Sequence, residues 1–348
     1  MSTVTTAATT ASVVAGLRTA RRRRQIVVVA GMVLLVLAAG TGALLVGAAG
    51  LTPGQAIAGA LGLGDPGDVF IIQMLRLPRI EAAVVIGAAF GLAGALSQST
   101  LRNPLASPDI LGISSGASLG AVVGLLVLGL SGVALSGLAF TGAVAVAIAI
   151  WLLAWRKGLH SIRFVLVGVG FAYLCSSLLA WAMARSQEHE AAAVLLWVVG
   201  SVSDIRGEQL ALVAAGTLVL GVAVTIVART QGPLSLGDDN ARALGVRVDA
   251  ARVGSLLLAV ALVALATSAA GPLAFVSLVA PAIARRLVND GGAALAASAA
   301  TGAALTLVAD VIGQHGLLGV AAPVGVVTGL VGAPYLLWLL ATNEKRSR

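Results

Sequence analysis

Runs of Ala, Leu, Val and Gly alternate along this chain with short polar punctuation. The runs recur at about 20 residues, the length an α-helix needs to cross about 30 Å of hydrocarbon. Ten segments have this character: 26–49, 80–99, 110–130, 133–155, 162–184, 208–228, 253–269, 272–288, 292–313 and 323–341. The pattern predicts an all-α, polytopic membrane protein, with a basic N-terminal tail (1–25), a ten-span domain (26–341) and a C-terminal tail (342–348). Segment 272–288 is the weakest. It opens at Gly271-Pro272 and carries Pro281, so a short or broken helix is expected there. A further apolar stretch, 191–202, is too short to span and predicts a partial helix packed at the membrane surface.

Composition supports the bilayer as main solvent. The chain of 348 residues is 59% hydrophobic and 10% charged, against about 25% charged for a soluble domain. Mean hydropathy is +1.02. The net charge of +8 then reads as an orientation signal. With both termini placed in the cytoplasm, all but Arg76, Arg79, Arg185 and Arg206 of the 22 basic residues fall on the inner side. That is a strong positive-inside bias, predicting a multi-pass protein of the cytoplasmic membrane. The run after the basic N-terminal segment is longer than a signal core of roughly 7–15 residues, so it reads as a retained span. Aromatic residues are 4% and do not interleave with a basic patch, so no nucleic-acid partner is expected. The single cysteine, Cys175, excludes an intrachain disulfide and reads as a small buried apolar residue.

The third segment carries glycine at every fourth position: Gly112, Gly116, Gly120 and Gly124. Residues so spaced share one helix face, and small residues there let two helix backbones approach in lipid. Gly87 and Gly91, and Gly325 and Gly329, repeat the device. Before the ladder, Pro104 and Pro108 in 102–109 end one helix and delay the next, which predicts a stiff inner-side connector. Asp109 is expected in the first turn of the new helix, where a carboxylate meets the positive end of the dipole.

Several chemistries lack their residues. Gly112–Gly116 reads G-I-S-S-G, but a nucleophile elbow needs a strand–turn–helix setting and a nearby base. The three histidines, His160, His189 and His315, lie at span ends. There is no H-E-x-x-H and no G-x-x-x-x-G-K-[ST], so no catalytic residue, bound metal or cofactor is expected, and any ATP is bound by another chain. Within the polar segment 229–252, the stretch 234–246 reads as one short helix: Gly237 ends the preceding turn, and Asp238 and Asp239 favour an N-terminus. It is either a docking element or a surface helix joining two spans.

Four stretches together resemble the FecCD family of ABC importer permeases: 75–121, 234–246, 270–288 and 307–340. The resemblance implies a cobalamin-importer-permease-like bundle of ten spans. Two permease subunits, paralogous or identical, would form the pathway. Two ATPase subunits would bind ATP and Mg, and an extracytoplasmic solute-binding protein would deliver cargo. It implies coupling to the ATPase through Leu236, Gly237, Asp238, Asp239, Ala241, Arg242, Leu244 and Gly245. It places an inner gate at Asn103 and Leu105 with Ser161 and Ile162 opposite, and binding-protein docking at Arg76, Arg79 and position 314. The implied cargo is a ferric siderophore, with haem or cobalamin as alternatives.

Two residues depart from the family pattern. Ala282 stands where histidine is usual, and Gln314 where arginine is frequent. The competing reading is an ion-coupled secondary transporter, for which Asp310, the carboxylate deep in a span, is the candidate proton site; pairing with neighbouring polar groups is the other account of it.

Overall fold

The computed structural model describes residues 2–45, 50–109, 112–154, 161–289, 291–316 and 320–344. They contain fourteen α-helices and no β-strand. In chain order these are α1 (Ser2–Leu45), α2 (Pro53–Ala60), α3 (Pro66–Phe70), α4 (Leu77–Thr100), α5 (Ile113–Leu126), α6 (Gly132–Ala154) and α7 (Ser161–Met183). Then follow α8 (Glu188–Val199), α9 (Gly207–Ser235), α10 (Asp238–Ala243), α11 (Val248–Ala270), α12 (Val276–Val288), α13 (Leu295–His315) and α14 (Val324–Glu344). A π-helical stretch, Ile71–Arg76, joins α3 to α4 without a break.

Each of the ten apolar segments falls on a helix. Among the described residues, seven helical stretches are long and apolar enough to cross a membrane, and Ile113–Leu126 and Val324–Trp338 are shorter apolar helices. The partial helix expected over 191–202 is α8.

Several boundaries differ from expectation. The basic tail is the first part of α1, whose Arg24 Nε donates to Leu287 O at 2.9 Å. The second span begins well before residue 80, because Asp65 caps a helix at Pro66 and accepts from Gly67 N at 2.8 Å. Helix α9 continues to Ser235 with Pro233 in its last turn, so the polar segment 229–252 shrinks to two short links around α10. Helix α5 starts at Ile113, after Gly112 at φ +79°, so Asp109 lies in the connector before the helix and not in its first turn.

The core is built on α4. It packs on α13, α11, α12 and α9, and Ile86, Phe90 and Leu96 on it are fully buried with Leu262 and Leu307. By contrast Leu212, Leu218, Val219, Val222 and Ile226 of α9 are exposed, an apolar outer face suited to lipid.

Backbone approach explains the glycine pattern. The ladder on α5 packs against α6: a methyl group at Gly116 would sit 2.8 Å from Gly142 O, and one at Gly120 would sit 2.5 Å from Leu138 O. At Gly124 the neighbour is the Leu135 side chain, and at Gly112 it is the α7 backbone at Gly168 and Ala172. Gly87 and Gly91 face Gly302 and Ser298 of α13 even more closely. The last pair is only half a packing device. Gly325 abuts Val199 O, whereas Gly329 has open space within 4 Å. Gly116→Leu is expected to lower the thermal unfolding temperature in detergent; an unchanged midpoint would refute the close-contact reading of the ladder.

Candidate functional site

Polar groups gather at the two ends of α4. The helix has 24 residues, so these ends are about 36 Å apart.

At its C-terminal end lie the connector and α10. Gly237 at φ +105° admits the turn out of α9, and Gly245 at φ +81° ends α10. Leu236 and Leu244 flank the helix with exposed side chains, while Ala241 is buried on Leu234 and Val248. The two adjacent aspartates point apart. Asp239 forms an exposed pair with Arg242 at 3.1 Å. Asp238 Oδ1 accepts from Arg252 Nη2 at 2.7 Å and from Arg102 Nη2 at 2.9 Å. Arg102 Nη2 also donates to Leu234 O. Burial pushes the Asp238 carboxyl up, but the Arg252 and Arg102 guanidiniums outweigh it and hold the group below the usual carboxylate range. A carboxyl depressed in this way stays ionised above its ordinary value. The clasp is therefore complete at neutral pH and is lost only as pH falls through the depressed value.

Of the gate candidates, Asn103 Oδ1 accepts from Leu105 N at 2.9 Å, which turns the chain locally. Leu105 is exposed. Ser161 and Ile162 open α7, and their side chains lie outside the described residues. A cavity of about 370 Å³ beside Asn103 is bounded by Gln98, Ser99, Arg102, Gln231 and Arg285. Here Ser99 Oγ donates to Gln231 Oε1 at 2.8 Å and Gln231 Nε2 to Ser255 Oγ at 2.8 Å, which crosslinks α4, α9 and α11.

Asp109 occupies the break between α5 and α12. Its carboxylate accepts from Ser114 Oγ at 2.6 Å, Ser277 Oγ at 2.5 Å and Ser107 Oγ at 3.4 Å. Both helices begin there, α5 after Gly112 and α12 after Phe275 at φ +66°, so one carboxylate serves two helix N-termini. Sequence reasoning missed this cluster because Ser277 lies 168 positions away. Ala282, two turns into α12, is buried.

At the opposite end, the three docking candidates are engaged within the chain. Arg76 donates to Leu44 O. Arg79 grips Asp310 with two bonds, Nε to Oδ2 at 2.9 Å and Nη2 to Oδ1 at 2.8 Å. Gln314 Nε2 adds a third donor to Asp310 Oδ2 at 2.7 Å. The Asp310 side chain is 2% exposed and that of Arg79 25%. Asp310 is thus a paired counter-ion, the polar-pairing account of it. Gln314, where arginine is frequent, spends its amide on the same carboxylate. Beside them opens a cavity of about 840 Å³ lined by Ser201, Ser203, Asp204, Gln314 and His315.

This arrangement, a helical bundle with apolar helices long enough to cross a membrane and polar clusters at both ends of α4, defines a polytopic membrane protein. The profile of the FecCD transport family matches residues 9–342, and the chain belongs to that family. It is 36% identical over 312 residues to the ferric enterobactin transport system permease protein FepG of Escherichia coli, covering 89% of this chain and 94% of that one. It is 38% identical to the achromobactin transport system permease protein CbrC of Dickeya dadantii, covering 88% of each chain. A solved metal-chelate type ABC transporter in an inward-facing conformation superposes with a TM-score of 0.79 at 25% identity, covering 90% of this chain and 98% of the other.

Proposed function

We propose that this chain is the permease subunit of an ATP-driven ABC importer that carries a ferric siderophore across the cytoplasmic membrane. The observation that carries the reading is the relationship to FepG and CbrC over 89% and 88% of the chain, which spans the connector, α10 and the short α12 alike. In this reading α10 docks on a separate ATPase, and both termini are cytoplasmic. A second permease subunit completes the pathway, two ATPases supply ATP hydrolysis, and a solute-binding protein delivers cargo at the Arg79 end.

The clustering at that end refines the docking expectation. Arg79, paired to Asp310, lines the cavity there with Ser201, Ser203, Asp204, Gln314 and His315, so the surface offers polar side chains of mixed charge. The vitamin B12 import system permease protein BtuC of Citrobacter koseri is 34% identical to this chain, so cobalamin is the comparison cargo.

The test replaces residues 236–244 with a Gly/Ser linker of equal length. The expected product is a membrane protein of normal abundance that no longer retains the ATPase on purification. Normal retention and normal uptake would overturn the reading. Cargo is assigned by uptake of labelled ferric enterobactin against labelled cobalamin in a deletion strain. Uptake of cobalamin alone would overturn the siderophore assignment.

A further inference from the structure

The Asp238 clasp joins Arg102, just past the end of α4 and 136 positions away, to the start of α10 and to Arg252 near the start of α11, 14 positions on. Below it Leu234, Ala241 and Val248 form a small apolar cluster of their own, with Val246 and Ala251 packed on it. The end of α9, α10 and the start of α11 are therefore one compact body. Arg102 is the tie from that body to the connector carrying Asn103 and Leu105. Its backbone sits at φ +50°, in the left-handed region that favours glycine. A side chain held there reaches both Asp238 and Leu234 O. The neighbouring Asp239–Arg242 pair makes no such link, since it closes within α10 and faces solvent.

We propose that Arg102 and Asp238 are positioning residues that make the coupling helix and the connector move as one unit. A displacement imposed on α10 then reaches Asn103 and Leu105 directly. This rests on the importer reading above. Partial exposure argues against a role in stability alone: the side chains are 41% exposed at Arg102 and 31% at Asp238. Pairs so exposed hold little folding energy. What they do hold is relative position, because both partners leave the ends of rigid helices.

The experiment uses the whole importer in proteoliposomes, with its ATPase and binding protein, and labelled ferric enterobactin as probe. Arg102→Gln is expected to retain the ATPase and to hydrolyse ATP as the parent does, and Asp238→Asn is expected to share its uptake defect. Uptake per ATP should fall at least about fivefold, the lower end of couplings between distinct sites. Arg102→Lys, which keeps the charge, should recover part of it.

A second measurement does not depend on cargo. In a Cys175→Ser background, spin labels at Asp239→Cys and Leu105→Cys report the distance between α10 and the connector with and without ATP. In the parent that distance should stay constant as both labels move together. In Arg102→Gln it should broaden and change with nucleotide. Unchanged uptake per ATP, a constant distance in Arg102→Gln, or loss of ATPase retention in that variant would each overturn the tie. A parent chain that fails to retain any ATPase overturns the importer reading instead.

Discussion

Leucine in place of Gly87 is expected to eliminate folded protein in detergent, while leucine in place of Gly221 leaves the unfolding temperature near that of the parent. Helix α4 meets α13 at Gly87, where a side chain would overlap the carbonyl oxygen of Gly302 and come within 2.7 Å of Thr306 Oγ1. The obstacle is backbone, which has no rotamer to escape into. The approach is also reciprocal, because a side chain at Gly302 would overlap the Gly87 carbonyl. Overpacking a filled core costs about 1–3 kcal/mol and occasionally more. Here the strain falls on the helix around which the core is assembled. Packing is also the main cohesive force between helices in lipid, so little remains to offset a forced separation. Gly221 has nothing within 4 Å, which makes it the control for a bulky side chain in a helix. Equal midpoints for the two variants in a thermal unfolding assay would refute the close contact.

Breaking the Arg79–Asp310 pair is expected to be nearly as damaging, with a definite asymmetry. Arg79→Leu leaves a carboxylate that is 2% exposed with one amide donor, Gln314. Removing one partner of a buried pair costs about 3–5 kcal/mol. Asp310→Asn leaves a guanidinium that is 25% exposed and can turn toward the adjoining cavity and its water. It should therefore lose less stability than Arg79→Leu, and the double change Arg79→Leu with Asp310→Leu should recover part of the loss. Unfolding midpoints of the three variants decide the matter. A smaller loss for Arg79→Leu than for Asp310→Asn would mean that the pair does not carry the burial cost assigned to it.

Much of the architecture is legible because lipid restricts the possibilities: an apolar run of sufficient length has to be helical, and each of the ten runs carries a helix among its described residues, seven of the stretches being long and apolar enough to cross. Glycine spacing is similarly informative, since Gly116 and Gly120 have one physical use in a membrane helix and the structure puts it against α6. Local capping signals were readable but were overshadowed by hydropathy. Asp65-Pro66 opens a helix in a stretch too polar to be counted as a span, so α3 and the π-helical stretch were overlooked. Contacts over long sequence distances were beyond reach in principle. Nothing near Arg79 points to a residue 231 positions away, and nothing in the connector points to Ser277. The intrachain partners of the two outer arginines, Leu44 O for Arg76 and Asp310 for Arg79, are likewise visible only in three dimensions.

The short helices α5 and α12 also bear on how the protein is made. With 14 and 13 residues they reach about 20 Å, less than the roughly 30 Å of hydrocarbon. The backbone breaks before them expose polar groups that a lone hairpin in lipid would leave without partners. Ser277, which α12 contributes to Asp109, is synthesised long after α5. The donor set of Asp109 is complete only when α12 has been made, so a chain halted after α11 is expected to hold α5 less firmly than the whole protein does.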